Sequence, residues 1–509
     1  MRSVDEMQFA VVFGVVALLC VTAMASADLK LPAIFGENMV LQAGMEVPVW
    51  GTATPGATVT VACADQEVQR TVDDDGTWSQ RLRPMEYGGP YEFSVTTDDG
   101  EALTYSNVYI GEVWLASGQS NMAMTVARSQ NAKEEIANSE NPMVRCFTTR
   151  RKYAPEPVDD VTGSWEMAGP ETTGHFTAAG YFFARELQKE LGIAVGVINS
   201  SWGGTPAQAW TRQEEIASDD TFAPLLKDFD AQLERQQEIA REYARAMSEW
   251  RQEVQKCKQE GKEVPERPKI PRGSPHRMAG VLYNGMIAPL GQYAIRGALW
   301  YQGEADARPG QAERYDTLLS HLIHGWRREW GQGAFRFLVV QLPNFRGNTQ
   351  WPFLRESQLN ILEDVSNTGL AITIDVGMTD NIHPLNKQAV GKRLALLALG
   401  TEYDRDIVYS GPIFQEMTVE GDTATIVFDH AGDGLVAQGG ELTGFEIAGP
   451  DKNFHPAQAT INGSVVTVCS PDVANPVAVR YAWDADPECN LYNSGGLPAS
   501  PFRTDNWDQ

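Results

Sequence analysis

The chain has 509 residues, of which 42% are hydrophobic and 21% are charged, and this composition indicates a globular protein of two or three domains. Its formal net charge is −26, and no run of lysine and arginine offsets it. A nucleic-acid backbone and an anionic membrane surface are therefore excluded as partners, and a neutral or weakly charged substrate is favoured.

Residues 1–27 are predicted to be a cleavable export signal. An apolar run from Phe9 to Val21 is followed by Ala25-Ser26-Ala27, a small-x-small cleavage site. We therefore expect a mature chain that starts near Asp28 and is exported to the periplasm or the extracellular space. The rest of the sequence has no run of 18 apolar residues, so no membrane span is expected after cleavage.

Residues 28–106 are predicted to form an amino-terminal β-sandwich. Val59, Val61 and Cys63 alternate with small or polar residues, which is the period of a strand with one buried face. Turn signals such as Asp75-Gly76 separate these short strands.

Residues 107–400 show apolar strands that alternate with helices, which predicts an α/β domain with a mostly parallel sheet covered on both faces. Ligands of such sheets bind at the carboxyl ends of the strands, so the loops there are candidates for a site. The predicted strands are 113–116, 193–199, 295–300, 335–342 and 370–376, and the predicted helices are 178–191, 311–330, 353–363 and 387–399.

A helical insertion is predicted at 219–275. Apolar residues between Phe222 and Val254 mostly recur every three or four positions, as on one helix face, and prolines up to Pro275 form a stiff return segment. The apolar stripe favours packing on its own domain, with an oligomer contact or a substrate lid as alternatives.

Residues 401–509 are predicted to form a second β-domain. Strand alternation returns there, and Asn462-Gly463 is a hairpin signal. The spacing leaves open whether Cys469 and Cys489 form a disulfide. The sequence has no CxxC pair, so a zinc ribbon or thioredoxin-type site has no support.

Ser120 is the candidate nucleophile. The strand at 113–116 leads into Ser117-Gly118-Gln119-Ser120-Asn121-Met122. Such a turn presents a hydroxyl at the sheet edge, beside a helix amino terminus whose N–H groups face an incoming anion. The lipase-type G-x-S-x-G elbow is absent, because Met122 stands where a glycine is needed. Taken alone, the pattern also fits a capping or turn serine.

His383 is the candidate base, since a serine hydroxyl needs one to become a nucleophile. It lies in Asp380-Asn381-Ile382-His383-Pro384, on a loop that precedes a predicted helix. An aspartate three residues earlier can hold one ring nitrogen and leave the other facing Ser120. The same spacing also occurs in surface loops with a capping aspartate.

The other histidines fit this role less well. His321 and His324 share a helix face, but no third metal ligand accompanies them, so they are interpreted as helix-surface residues and no metal site is predicted. The remaining histidines have no acidic partner at comparable spacing on an α/β loop: His175, His276, His430 and His455.

Two further loops supply candidate donors for an oxyanion, each of which is worth roughly a hundred- to a thousandfold in rate. The strand at 193–199 ends in Ser200-Ser201-Trp202-Gly203-Gly204-Thr205, whose glycines let backbone N–H groups approach a ligand. The strand at 295–300 ends in Tyr301-Gln302-Gly303-Glu304, which adds an amide at the same edge. Either loop alone is compatible with an ordinary turn.

Taken together, these blocks resemble the sialate O-acetylesterase family of the SGNH-hydrolase superfamily, and the resemblance covers nearly the whole mature chain. Four blocks in this order are far more specific than any one of them. They are Gly118-Gln119-Ser120-Asn121, Trp202-Gly203-Gly204-Thr205, Trp300-Tyr301-Gln302-Gly303-Glu304 and Asp380-x-x-His383-Pro384. Further matches are Asn38 to Gln42, Pro48 to Gly51, Leu282 to Ile287 and Asn386-Lys387.

The resemblance implies a serine esterase with a flavodoxin-like three-layer catalytic domain between two β-sandwich-type domains. Ser120 attacks the acetyl carbonyl, His383 moves the proton to the departing sugar oxygen, and Asp380 holds the imidazole. No metal and no cofactor is implied.

The resemblance also implies an oxyanion hole and supporting residues. The Ser120 N–H, a glycine N–H from Gly203 or Gly204 and the Gln302 side chain would bind the oxyanion. Supporting or substrate-binding roles fall to Asn121 and Glu304. One departure concerns substrate preference, since Asp306 stands where the family pattern leads us to expect asparagine.

Three alternatives remain open. An acetylated sugar is the expected substrate, most of all O-acetylated sialic acid, but a deacetylase of xylan or pectin would use the same chemistry. A glycosidase would need two acids such as Glu304 and Asp375, and would give Ser120 and His383 no task. The third is a carbohydrate-binding protein without activity. The sequence leaves the oligomeric state undetermined.

Overall fold

A computed structural model describes residues 28–269 and 274–507, so the predicted export signal at 1–27 lies outside the described residues. The amino-terminal strands alternate buried and exposed side chains, as Thr58–Cys63 does, and this pattern gives the antiparallel sheet one buried face. The strands are β1 (Val40–Gln42), β2 (Val47–Thr52), β3 (Thr58–Cys63), β4 (Gln66–Thr71), β5 (Thr77–Leu82), β6 (Gly88–Thr97) and β7 (Ala102–Gly118).

Strand β7 is 17 residues long and belongs to two parts of the structure. Its first half pairs antiparallel with β6 and has alternating exposure, while from Val113 onward it is fully buried and joins the central parallel sheet. The predicted change of rhythm at Asn107 therefore falls within one continuous strand. Asn107 has a φ of 56° there, a left-handed conformation that asparagine tolerates better than most residues.

The central sheet is mostly parallel, as the continuous apolar runs predict. Its order is β13-β12-β11-β7-β10-β8-β9, and only β9 runs antiparallel to its neighbour. Strand β7 lies in the middle, so the residues after Gly118 emerge at the centre of the sheet's carboxyl edge. The remaining strands of this sheet are β8 (Asn141–Thr148), β9 (Trp165–Ala168), β10 (Val195–Ser201), β11 (Gly297–Tyr301), β12 (Arg336–Val340) and β13 (Thr368–Ala371).

Most helices follow the strands of the parallel sheet, and none in the described ranges is long and apolar enough to cross a membrane. Helix α5, in the predicted insertion, has 32 residues and buries only Leu233, Met247 and Cys257. The helices are α1 (Ser120–Ala123), α2 (Ala132–Ala137), α3 (Ala178–Leu191), α4 (Gln213–Ala217), α5 (Phe229–Glu260), α6 (Tyr315–Trp330), α7 (Trp351–Asp364) and α8 (Lys387–Thr401).

The carboxyl-terminal strands form antiparallel sheets with a core of their own, made by buried residues between Ala424 and Phe502. The Arg503 guanidinium contacts both carboxylate oxygens of Glu356, at 2.7 and 2.8 Å, and so attaches this part to α7. The thiols of Cys469 and Cys489 are free. The strands are β14 (Ile413–Glu420), β15 (Thr423–Asp429), β16 (Leu435–Ala437), β17 (Phe445–Ala448), β18 (Phe454–Pro456), β19 (Gln458–Asn462), β20 (Val465–Cys469), β21 (Ala478–Tyr481), β22 (Leu491–Asn493) and β23 (Phe502–Arg503).

Candidate active site

Ser120 is the first residue of α1, two positions after the end of β7. The turn depends on Gly118, whose φ is +132° and where a Cβ would lie 2.2 Å from the Tyr301 carbonyl oxygen. Only glycine allows β7 to approach the end of β11 so closely. The Ser120 side chain consequently emerges half-buried at the middle of the sheet edge.

His383 contacts Ser120 directly. The Nε2 atom of His383 lies 2.8 Å from Ser120 Oγ, a normal hydrogen-bonding distance, although the two residues are 263 positions apart in the sequence. Burial, and then the cations Lys387 and Arg128, hold the pKa of the imidazole below its usual value. His383 is therefore neutral near pH 7, which is the state that accepts a proton.

Asp380 lies on the same loop as His383, but its carboxylate pairs with another residue. Its carboxylate is 78% exposed and forms an ion pair with the Arg346 guanidinium. Among the hydrogen bonds of the described residues, none joins Asp380 to His383; the His383 backbone N–H instead donates to Asn381 Oδ1, at 3.0 Å. The structure brings the predicted nucleophile and base together and leaves the predicted orienting acid turned toward Arg346.

Of the predicted oxyanion donors, the glycine loop after β10 lies beside the serine. A Cβ built on Gly203 would lie 3.2 Å from the Ser120 Cβ, so this glycine permits a close approach of the two segments. Gly204 has a φ of +78°, and its carbonyl accepts a hydrogen bond from Arg277.

Gln302 is fully buried and its amide is already engaged. Its Nε2 lies 2.5 Å from Asp306 Oδ2, 3.0 Å from Gln119 Oε1 and 3.1 Å from the Thr205 carbonyl, and its Oε1 accepts from the Tyr315 hydroxyl at 2.7 Å. The two amide hydrogens of Gln302 thus have acceptors in this arrangement. To act as the predicted oxyanion donor, Gln302 would have to release one of them.

Asp306, the departure noted in the sequence, supports the same loops. Besides Gln302, it accepts a hydrogen bond from the Ala207 backbone N–H at 2.9 Å. Burial is the main cause that raises its pKa, to about 6. Its carboxylate therefore connects the loop after β10 with the loop after β11.

Asn121 connects the segments of the nucleophile and the base. Its Nδ2 donates to Glu304 Oε1 and, at 2.9 Å, to the carbonyl of Ile382, the residue before His383. Its Oδ1 accepts from Lys387 Nζ at 2.6 Å. Because Asn121 directly follows Ser120, one buried amide fixes the separation of the two predicted catalytic segments.

Lys387 joins this network, although the sequence pattern indicates no role for it beyond a match to the family. It is fully buried at the start of α8, with Nζ 4.9 Å from the ring centre of Tyr301. Burial lowers the pKa of Lys387 to about 7 and raises that of Glu304 to about 7. The sequence signal that could have indicated Lys387 is its position four residues after the candidate base His383, at the start of the predicted helix.

The residues considered for other chemistries have different partners. His321 contacts Asp219, and no group of three or more potential metal ligands occurs in the described part of the chain. Asp375 forms a two-point ion pair with Arg393, at 2.6 and 2.7 Å, while Glu304 bonds to Asn121. The two acids of the glycosidase alternative are thus each held by another residue.

Comparisons with known proteins agree on one family. The family model described as carbohydrate esterase, sialic acid-specific acetylesterase, matches residues 110–262 and 270–399. The sialate O-acetylesterase of Mus musculus is 30% identical over 96% of this chain and 97% of its own, and that of Homo sapiens is 28% identical over 96% of each. A crystal structure of a carbohydrate acetylesterase from Xanthomonas citri matches with a TM-score of 0.80 and 35% identity, covering 94% of this chain and all of the other.

Proposed function

The chain belongs to the carbohydrate esterase family of sialic acid-specific acetylesterases and is an esterase, and on this premise we propose that Ser120, His383 and Asp380 remove O-acetyl groups from sugars by an acyl-enzyme mechanism. The observation that carries the proposal is the 2.8 Å contact between Ser120 Oγ and His383 Nε2. It supplies the nucleophile with a base in hydrogen-bonding reach.

In the first half of the reaction, Ser120 Oγ attacks the acetyl carbonyl carbon while its proton passes to His383 Nε2. The oxyanion would be met by the Ser120 N–H and a glycine N–H from Gly203 or Gly204. The tetrahedral species then expels the sugar oxygen, which takes the proton from His383. An acetyl-serine and the free sugar hydroxyl result.

In the second half, water replaces the sugar as nucleophile. His383 takes a proton from the water as it attacks the acetyl-serine, and returns it to Ser120 Oγ as acetate leaves. Asp380 would stabilise the imidazolium in both halves if its carboxylate turned from Arg346 to the free ring nitrogen. No step consumes a cofactor.

The fold type of the catalytic part and the export of the protein also belong to this proposed function. We assign the central sheet and its helices to the flavodoxin-like SGNH type, flanked by the amino- and carboxyl-terminal β-rich parts, with export directed by residues 1–27. The parallel order around β7, with Ser120 at its carboxyl end, supports the first assignment.

Sialic acid is the proposed sugar, and acetylated xylan is the alternative. The decisive experiment measures acetate release from O-acetylated sialic acid and from acetylated xylan under the same conditions. We expect a higher kcat/KM on the sialic acid. Turnover of xylan alone would shift the assignment to a polysaccharide deacetylase, and absence of acetate release from every acetylated substrate would refute the esterase chemistry.

The dependence of kcat/KM on pH should follow the titration of the His383 imidazole. Activity requires unprotonated His383, so kcat/KM should rise with pH through the His383 titration and level off above it. Because burial, Lys387 and Arg128 lower that pKa, the acidic limb should have its midpoint below the usual value for histidine. The measurement is kcat/KM for an aryl acetate between pH 4 and pH 9, roughly the range over which an imidazole titrates. A midpoint above the usual histidine value would contradict this environment.

Replacing Lys387 with methionine should reduce kcat without a comparable change in KM. The change removes the donor that fixes Asn121 Oδ1, and it removes the positive charge that lowers the pKa of the buried Glu304 carboxyl. Loss of the cation should also move the acidic limb of the pH profile upward, because Lys387 lowers the His383 pKa.

Two further variants test whether a loss of kcat in Lys387→Met comes from misplaced site residues or from a misfolded protein. Lys392→Met removes an exposed lysine from the same helix and should leave kcat and the pH midpoint unchanged. The double variant Lys387→Met with Glu304→Gln also removes the buried acid, and should fold well but keep the loss in kcat. An unshifted pH midpoint in Lys387→Met would argue against the proposed electrostatic coupling to His383.

A further inference from the structure

Two arginines lie at the same sheet edge as the candidate nucleophile. Strand β10 is the neighbour of β7, and β8 is the neighbour of β10, all three being parallel. Arg151 comes three positions after the end of β8, and Trp202 comes directly after β10. Because carboxyl ends of parallel strands meet at one edge, Arg151 and the loop of Trp202 lie at the sheet edge that carries Ser120.

The Trp202 ring contacts both a histidine and an arginine. The imidazole of His276 stacks on it with ring centres 4.5 Å apart and planes 3° from parallel, and the Arg151 guanidinium carbon lies 6.0 Å from the Trp202 ring centre. A cation held by an aromatic ring is attracted without being neutralised. The guanidinium of Arg151 therefore keeps its charge for another partner.

Arg277 lies next to this stack and next to the glycine loop. It donates a hydrogen bond to the Gly204 carbonyl, and Gly204 follows Gly203, which abuts Ser120. This contact occupies one of the five N–H donors of Arg277 with a neutral acceptor. The position of Arg277 is thus fixed relative to the nucleophile while its charge is retained.

Direct charge compensation is weak at this place, because the carboxylate of Asp306 acts on Arg277 from beyond ion-pair distance. Within residues 28–269 and 274–507, no carboxylate forms an ion pair with Arg151 or Arg277, although the chain carries 67 acidic residues against 41 basic ones. Burial, followed by Arg277 and Arg151, lowers the pKa of His276 to about 4, so both guanidiniums act on one neutral imidazole. In a protein with a net charge of −26, a local positive potential from two arginines without an ion-pair partner indicates a site for an anionic group.

We propose that Arg151 and Arg277 bind the carboxylate of an acidic sugar whose acetyl ester is presented to Ser120. A guanidinium matches a carboxylate with two parallel N–H donors, which gives both affinity and orientation. The paired cations offset the repulsion that a net charge of −26 exerts on an anionic substrate. This inference rests on the proposed esterase function and assigns the feature that separates an acidic sugar from neutral xylan.

The test compares an O-acetylated sialic acid with its carboxyl methyl ester, in which one added methyl group removes the negative charge, and acetate release is the readout. We define the discrimination ratio as kcat/KM for the acid divided by kcat/KM for the methyl ester. In wild type this ratio should exceed one and should fall as salt is added, because screening weakens the ion pair.

Arg151→Gln and Arg277→Gln should each lower the discrimination ratio at least about tenfold, mainly through KM for the acid. Arg405→Gln, which removes an exposed arginine from the carboxyl-terminal part, is the matched control and should leave the ratio at its wild-type value. Arg151→Gln is the more decisive variant, because Arg277 also contacts the glycine loop and its loss can affect both substrates.

The outcomes distinguish this inference from the esterase function. If wild type releases acetate from both substrates at equal efficiency, or if Arg151→Gln leaves the ratio unchanged, the carboxylate site is wrong and the esterase remains. If wild type releases no acetate from an aryl acetate either, the proposed function fails and the carboxylate site fails with it. A lowered ratio with preserved hydrolysis of the aryl acetate supports both.

Discussion

Replacing Ser120 with alanine is expected to abolish acetate release, with a fall in kcat on the order of 10⁶-fold, as when a serine nucleophile is removed from a serine hydrolase. The variant retains the surrounding loops but has no side-chain oxygen at position 120 to form the acetyl-enzyme. Acetate release from O-acetylated sialic acid is the measurement, with wild type and variant assayed side by side.

The fold should survive this change. The Ser120 side chain is half-buried and its hydrogen bond goes to His383, so its removal leaves a small gap at a solvent-facing edge. Thermal unfolding should therefore occur within a few degrees of wild type. Ser139→Ala, which removes a serine hydroxyl bonded to the Ile136 carbonyl, controls for the loss of one hydroxyl and should retain full activity. Undiminished acetate release by Ser120→Ala would end the serine mechanism.

Replacing His383 with alanine should be nearly as severe, while Asp380→Asn should cost far less. Without the imidazole, nothing removes the proton from Ser120, and a loss in kcat of about 10⁵- to 10⁶-fold is expected. The Asp380 carboxylate is 78% exposed and paired with Arg346, so its charge reaches the imidazole weakly, and we expect a loss of about 10- to 100-fold.

Equal losses in the two variants would mean that Asp380 turns toward His383 during turnover. Arg346→Gln provides the matched test, since it releases Asp380 from its present partner. If the carboxylate works only after leaving Arg346, Arg346→Gln should raise kcat or leave it unchanged, whereas a marked loss would assign a working role to the ion pair itself.

The sequence was sufficient to predict strands β7 and β10 to β13 of the central sheet, and the meeting of Ser120 and His383 at its edge. Apolar runs such as 295–300 predict strands buried on both faces, and their alternation with helices predicts the parallel order that places Ser120 beside His383. Strands β8 and β9 were not predicted, because Asn141–Thr148 mixes polar and apolar residues without a clear period.

Side-chain orientation could not be predicted in the same way. Three-residue spacing allowed Asp380 to reach His383, but Arg346, which arrives from the segment before α7, provides a competing partner that no local pattern reveals. Gln302 presented a similar difficulty, since its burial depends on Asp306 and Tyr315. Contacts between segments that are distant in the sequence decide these orientations, and the local sequence pattern does not predict such contacts.

Because β7 belongs to both the amino-terminal and the central sheet, the amino-terminal part cannot easily be exchanged with that of a related enzyme. A chain that began at residue 110 would start midway along that strand, and would open the apolar core that the amino-terminal and central sheets build jointly. We expect such a fragment to aggregate through its bare strand and uncovered apolar surface. The carboxyl-terminal part has a separate core, so recombination between related enzymes should be tolerated at that junction and disfavoured at the other.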